Sequence, residues 1–365
     1  MPVADFEIAV PATMRAAVYK GDSVVAVEQV PTPQIGAGEL LVRVEACGVC
    51  HTDLKKIEYN LLAPPRIFGH ETAGVVVRAG RDVEKFQTGD RVVIFHHIPC
   101  SNCFYCRKKL YAQCLVYKKV GVTAGFEPAG GGFSQYVRVM DWIVQRGVEK
   151  IPDGVPFECA AFVEPVNTCL KAVVQCAPER GEVALIVGQG PIGLLLTMLV
   201  RRTGARVIAT ETIPARRQLS LQCGAEEALD PRAVDVPGFI GSLTEGRGAD
   251  LVILAASAPG LVAHAVKASR AGARILLFAQ TSDREQIELS GASICAGERT
   301  IFGSYSASVD LQKESAELVF SGELPVDLLV SHRLPLANIS SAFDLALHPD
   351  SKSLKIILEP QRWTE

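Results

Sequence analysis

The sequence has little charge of either sign in excess: 37 Lys and Arg face 40 Asp and Glu, a net charge of −3. That balance offers no electrostatic reason to bind nucleic acid or an anionic membrane. Long apolar runs are also missing. The longest apolar stretch, Val183 to Val200, is broken by Gly188, Gln189, Gly190, Pro191 and Gly193. A lipid-spanning helix tolerates such breaks poorly, whereas a strand–turn–helix explains them. The opening residues Met1 to Glu7 are acidic and lack both a basic start and an apolar stretch, so no signal peptide is expected. Neither an internal repeat nor a low-complexity tract is present. Without a secretory signal, the eleven cysteines point to metal or catalytic use before disulfides, and a cytoplasmic location is the expectation.

What remains is a globular chain of 365 residues, 48% hydrophobic and 21% charged, long enough for two domains with a core each. Residues 1–13 read as an extension, because strand-like patterning begins at Met14–Tyr19. From there to about residue 160, short β-runs such as Leu40–Val44, Ala73–Val77 and Arg91–Phe95 are separated by Gly and Pro, the pattern of a β-rich, barrel-like domain. Near residue 165 the pattern changes. Apolar strands at Val183–Val187, Arg206–Thr210, Asp250–Ala255 and Ala273–Phe278 alternate with helical stretches at 192–203, 214–223 and 260–270. Buried strands alternating with helices signal a doubly wound parallel sheet, hence an α/β chain. The last 60 or so residues lose that regularity and are expected to pack back on the first domain.

Cys100, Cys103, Cys106 and Cys114 have the spacing C-x2-C-x2-C-x7-C. Four thiolates so close in sequence can close a tetrahedral shell around one soft divalent ion and leave no open position, which marks a structural zinc. An iron–sulfur cluster is the rival, but the bacterial ferredoxin run places three residues before its last cysteine and a proline after it.

Val183–Val187 leads into Gly188-Gln-Gly190-Pro191-Ile192-Gly193, a helical stretch follows, and Glu211 ends the next strand. In that context G-x-G-x-x-G reads as a dinucleotide turn. Gly188 allows the tight turn, Gly190 admits the pyrophosphate to the backbone, and Gly193 permits close helix–strand packing. Cofactor contacts are therefore expected along Gly188–Gly193 and at Glu211. A carboxylate at Glu211 would accept hydrogen bonds from the ribose hydroxyls and repel a 2′-phosphate, favouring NAD, while Arg216 and Arg217 nearby leave NADP open.

Metal donors also occur in Cys47–Asp53, in Phe68-Gly69-His70-Glu71 and in Phe162-Val163-Glu164-Pro165. Sulfur, imidazole and carboxylate from three segments suit a catalytic zinc with one open position, although Cys50 alone could be a buried thiol and His70 a core histidine. Gly48–Asp53, Gly69–Gly74, Gly89–Val92, the cysteine loop, Gly131–Val137, Ile151–Gly154, Glu164-Pro165 and the glycine turn together resemble the zinc-containing medium-chain dehydrogenase/reductase superfamily. The similarity is to its polyol branch, typified by sorbitol dehydrogenase, and spans Met14 to Pro360.

The resemblance implies a GroES-like catalytic domain over 14–165 and 305–365 and a Rossmann domain over 166–304. It implies zinc held by Cys50 and His70, with the third ligand between Glu164, where the alcohol branch has cysteine, and Glu71, which can exchange into the shell. It implies hydride transfer between a secondary alcohol and the nicotinamide, with Thr52 taking the alcohol proton. Many relatives carry a relay histidine where this chain has Lys55, so the proton leaves through Lys55, or through water beside Glu164, or Lys55 is merely solvated. Lys355 and His51 are expected near the cofactor pyrophosphate, and the assembly is expected to be a homodimer or homotetramer. His96 and His97 are assigned no ligand role, and Cys159, Cys169, Cys176, Cys223 and Cys295 read as small core residues. Threonine-type or simple-alcohol dehydrogenases are the nearest rivals. Zinc-free quinone reductases lack this ligand set, a non-enzymatic dinucleotide binder would need no relay hydroxyl, and the acidic net charge argues against a zinc-ribbon nucleic-acid binder.

Overall fold

The computed structural model describes residues 9–119, 130–279, 286–350 and 352–362. The chain divides into two compact units, Met1–Asn167 with Ala307–Glu365, and Thr168–Ser306. The first unit opens with β1 (Thr13–Gly21) and β2 (Val24–Pro31), an antiparallel hairpin. Then come β3 (Leu40–Gly48), helix α1 (His51–Glu58), β4 (Arg66–Ile67), β5 (Glu71–Ala79), β6 (Arg91–Ile94), β7 (Tyr136–Val139) and β8 (Val148–Lys150). The β-runs expected from sequence lie in β1, β3, β5 and β6, with Phe95 just past the end of β6. Of the expected leading extension, residues 1–8 lie outside the described residues, and Val10 packs against the core.

The second unit holds β9 (Val183–Val187), β10 (Arg206–Thr210), β11 (Glu227–Leu229), β12 (Ala249–Leu254), β13 (Ser269–Leu277) and β14 (Thr300–Gly303). All five pairings are parallel, in the order β11-β10-β9-β12-β13-β14. Counted within the unit this is 3-2-1-4-5-6, the Rossmann order, whose direction reverses between β9 and β12. Because such strands are covered on both faces they are apolar throughout: Leu185, Ile208, Val252, Leu254 and Ile275 share one buried cluster. β13 starts four residues before the apolar run Ala273–Phe278, because Ser269 pairs with Ala249 ahead of a register shift in β12.

The return segment adds β15 (Val330–Pro335) and β16 (Lys355–Glu359). β16 pairs antiparallel with β3 and parallel with β15, giving a seven-stranded sheet in which β15-β16-β3-β5-β6-β8 run in order and β7 also pairs with β3. The segment therefore completes the GroES-like sheet of the first unit. Its regularity, hidden in the sequence, comes from pairing with strands some 300 residues away, which no local period reveals. A second, three-stranded sheet has the order β2-β1-β4. Tyr19, Phe68, Phe95 and Phe133 fill the core, which includes Ile356 and Leu358 from β16. Among the described residues no helix is long and apolar enough to cross a membrane.

Candidate metal centres and dinucleotide turn

The four sulfurs of Cys100, Cys103, Cys106 and Cys114 lie within 4.8 Å of one another. A Zn–S bond of about 2.3 Å in a tetrahedron sets sulfurs about 3.8 Å apart. The observed Cys100–Cys106 and Cys103–Cys106 separations are 3.9 and 3.5 Å, so the loop is already shaped for that ion. Burial works against a Cys114 thiolate, yet backbone N–H groups of Cys100, Tyr117 and Val116 bring it down to about 6. The backbone N–H from Cys106 lowers Cys103, while burial and the neighbouring sulfurs push Cys106 up to about 12, a penalty that a bound divalent cation cancels. Cys106, Ala112, Cys114 and Tyr117 form a small core of their own.

The second centre is assembled by strand register. Gly48, at the end of β3, pairs with Glu71 at the start of β5, and β16 pairs with the same residue through Ile357. Cys50 caps α1, its sulfur accepting the Thr52 N–H at 3.4 Å. His70 immediately precedes β5. Donor atoms of Cys50, His70 and Glu71 consequently come within 4.8 Å of one another. His70 Nδ1 lies 3.0 Å from Asp53 Oδ1. Donating Nδ1–H to Asp53 leaves Nε2 as the lone-pair donor, the usual arrangement behind a ligating histidine. Burial opposes a charged ring, but Asp53 and Cys50 hold the His70 pKa well above the usual value.

Asp53, Glu71 and Glu164 are all buried here, at 0%, 1% and 7% exposure, and the Lys355 ammonium pairs with Glu71 and donates to the Val49 carbonyl at 3.1 Å. Asp53 Oδ2 takes no hydrogen bond. Three buried carboxylates and a thiol beside that ammonium call for further positive charge, and a mixed N/S/O donor set with a divalent cation fits. An Asp53→Asn substitution is expected to weaken zinc binding at this centre by about 10–100-fold, read by chelator competition. Unchanged affinity would show that Asp53 does not orient the ring.

The expected residues are placed unequally. Glu164 is not among the three donors that lie mutually within 4.8 Å; its Oε1 is 3.5 Å from His97 Nδ1, and burial pushes it up to about 7. Lys355, expected from the resemblance near a cofactor phosphate, pairs with the Glu71 carboxylate, and both Glu71 and Cys50 help hold its pKa above the lysine norm against burial. Gly48 makes room for that pair, since a Cβ there would sit 1.9 Å from Glu71 Oε2 and 2.7 Å from Lys355 Cε. Thr52 and His51 are exposed in the first turn of α1 and Lys55 is half-buried on the same helix. Sequence reasoning missed the Asp53 and Lys355 partnerships and left His96 and His97 without a role. The signals available were the Cys50–Asp53 spacing and the run His96-His97 just past β6.

In the second unit Gly188 adopts φ +90°, a conformation favouring glycine, and a Cβ on Gly193 would lie 1.9 Å from the Gly188 carbonyl. Gly190 caps the helix Pro191–Arg202, and Pro191 and Ile192 open it. Around an added Gly190 Cβ, the nearest atom is Arg216 Nη1 at 3.9 Å, so the turn is open to a ligand and borders a guanidinium. Glu211 is held from behind: Oε2 accepts the Gln189 N–H at 2.8 Å, and Oε1 accepts those of Thr212 and Ile213 at 2.8 and 3.0 Å. Arg217 is engaged by the Glu211 carbonyl and Asp230, and Arg232 by Asp230 and the Thr212 carbonyl.

Residues 36–153 match the alcohol dehydrogenase GroES-like domain, and residues 191–321 match the zinc-binding dehydrogenase family. The chain is 29% identical over 359 residues to sorbitol dehydrogenase of Bacillus subtilis, covering 97% of this chain and 99% of the relative. It is 31% identical over 312 residues to L-threonine 3-dehydrogenase of Pyrococcus abyssi, covering 84% and 86%. Among solved structures, a zinc-binding dehydrogenase from Sinorhizobium meliloti bound to NADP aligns with a TM-score of 0.87 at 28% identity, over 96% of this chain and 100% of that one.

Proposed function

The chain belongs to the zinc-dependent alcohol dehydrogenase family and is an oxidoreductase acting on CH–OH groups, and from that premise we propose that it oxidises a secondary alcohol of a polyol, sugar or cyclitol to a ketone with NAD. The observation that carries the substrate class is the carboxylate character of the Cys50 centre, where Glu71 stands with Cys50 and His70 and Glu164 lies buried near the same groups. The family resemblance implies a cysteine in the alcohol branch where this chain has Glu164.

Zinc held by these residues would supply Lewis-acid polarisation of the alcohol oxygen, lowering its pKa in the sense that bound water falls to about 7, and a bound nicotinamide would supply the hydride acceptor. The chain supplies the rest. Cys50, His70 and either Glu71 or Glu164 hold the metal, and Asp53 fixes the His70 ring. The Thr52 hydroxyl takes the alcohol proton, which leaves either through the neutral amine form of Lys55, three residues further along α1 and so on the same face, or through water beside Glu164. Gly188, Gly190, Pro191, Ile192 and Gly193 accommodate the pyrophosphate, with Arg216 beside the turn. Cys100, Cys103, Cys106 and Cys114 hold a second, structural zinc. The protein works in the cytoplasm as a dimer or tetramer, with β14, the end strand of the parallel sheet among the described residues, available for sheet-to-sheet pairing.

NAD is preferred over NADP because the Glu211 carboxylate is fixed in place by three backbone N–H groups and cannot swing away from a 2′-phosphate. A Glu211→Ser variant is expected to bind NADPH about tenfold more tightly relative to NADH, a shift of about 1.4 kcal/mol. Calorimetric titration of both cofactors checks it, and an unchanged ratio would assign the preference elsewhere.

A substrate panel tests the reaction: polyols, sugars, cyclitols, threonine and simple alcohols, scored by NADH absorbance at neutral to alkaline pH. Turnover of polyols above the rest supports the reading. Turnover of threonine alone would move the substrate to the class named by the Pyrococcus relative. A zinc-replete enzyme that oxidises no secondary alcohol would overturn the proposal.

A further inference from the structure

His96 and His97 follow β6 and are buried at 5% and 7% exposure, their ring centroids 3.7 Å apart. Both lean on the Cys50 centre: the His70 ring is 5.3 Å from His96 and 6.3 Å from His97, edge-on to the latter at 89°. His97 Nδ1 is 3.5 Å from Glu164 Oε1. On its other side the His97 ring packs at 5.0 Å against Tyr117, and Phe95 lies at 5.2 Å. Tyr117 belongs to the small core of the four-cysteine lobe and its backbone N–H supports the Cys114 sulfur. A continuous line of contacts thus runs from Cys114 through Tyr117 and His97 to Glu164.

We propose that His97 is a positioning residue which aims the Glu164 carboxylate at the Cys50–His70 centre, and that the four-cysteine lobe sets His97 through Tyr117. This rests on the reading of the Cys50 centre as a metal site. The physical argument is one of freedom removed. Glu164 is a flexible side chain whose buried carboxylate is costly unless polar groups hold it, and His97 Nδ1 stands 3.5 Å from its Oε1. The His97 ring is wedged between His96 and Tyr117, so its nitrogen meets Glu164 from one fixed direction. Ordering of the cysteine lobe fixes Tyr117, so the lobe acts on the reaction without touching substrate. Glu164 and Glu71 are then not equivalent candidates for the third ligand: Glu71 is tied to Lys355, and Glu164 answers to the lobe.

Cobalt(II) exchanged into the Cys50 centre of the full-length protein reports the test. Its ligand-field spectrum is taken as the difference from a Cys50→Ser variant with an intact lobe. His97→Phe keeps the stacked ring and removes the nitrogen; Tyr117→Leu removes the wedge. Both are expected to shift the cobalt bands alike and to weaken cobalt binding by about tenfold, the scale of lost ligand orientation. His97→Asn, which restores a donor near the Nδ1 position, and Tyr117→Phe, which keeps the ring, are expected to return the parental spectrum. Should His97→Phe not fold, Tyr117→Leu carries the same arm. Parental spectra and affinity in both His97→Phe and Tyr117→Leu would overturn the proposal while leaving the metal centre standing. Failure of the parent protein to take up cobalt at Cys50 would overturn the metal reading itself, and this inference with it.

Discussion

Replacing His70 with alanine is expected to lower kcat/KM by at least about 10⁴-fold and to leave the protein short of one zinc per chain. The magnitude follows from the metal's task, since zinc brings the pKa of bound water far down, to about 7, and moves a bound alcohol in the same direction. Each pKa unit forfeited costs about tenfold in the reactive, deprotonated fraction at a given pH. Without His70 two donors remain in the cluster, Cys50 and Glu71, and Glu71 is already tied to Lys355. The substitution also strips Asp53 of its partner. Its carboxylate is wholly buried, and breaking a buried pair by removing one member typically costs about 3–5 kcal/mol. A double variant, His70→Ala with Asp53→Asn, is expected to recover part of that stability but none of the activity. Zinc content, thermal midpoint and turnover measured together decide the matter. Activity within tenfold of the parent, at reduced zinc content, would show that the Cys50 centre is not where the alcohol reacts.

Cys114→Ser is expected to release the other zinc and to lower the thermal midpoint by about 10 °C or more. Structural zinc contributes about 10–16 kcal/mol to finger-sized peptides, and a loss of even half of that exceeds the effect of most single substitutions. At about 2 °C per kcal/mol for a chain of this size, several kcal/mol give the stated shift. Cys114 is the choice because it is fully buried and its sulfur receives N–H groups from Cys100, Val116 and Tyr117, so its loss loosens both ends of the loop. The parent protein distinguishes zinc from an iron–sulfur cluster at the lobe, since a cluster absorbs visible light and zinc does not. A Cys114→Ser protein that keeps two zincs and its parental midpoint would remove the lobe from the account of stability.

The two metal centres differ in how far sequence alone reaches them. The cysteine lobe is readable from spacing because all four candidate ligands lie between Cys100 and Cys114, and a short loop has few ways to hold four sulfurs apart. The glycine turn is readable for the same reason: Gly188's positive φ and the close approach at Gly193 are demands of adjacent backbone. The Cys50 centre needed the family resemblance to unite Cys50 and His70 with a carboxylate, which it left between Glu164 and Glu71, and nothing local could say that Lys355 would meet Glu71. That pair exists because β16 and β5 flank β3 at Gly48, which lacks the side chain that would separate them.

The sequence by itself determined the α/β class, the shift from a β-rich first part to a doubly wound second, the four-cysteine loop and the dinucleotide turn. Each follows from hydrophobic period or from donors close together in the chain. Only the tertiary structure decided the environment of the second centre: Asp53 behind His70, Lys355 on Glu71, and His97 between Tyr117 and Glu164. Those contacts depend on strand register and on packing between segments distant in sequence: a one-residue change of register would turn Glu71 or Lys355 to the other face of the sheet, and Asp53, His97, Tyr117 and Glu164 are brought in by helices and loops packed around it.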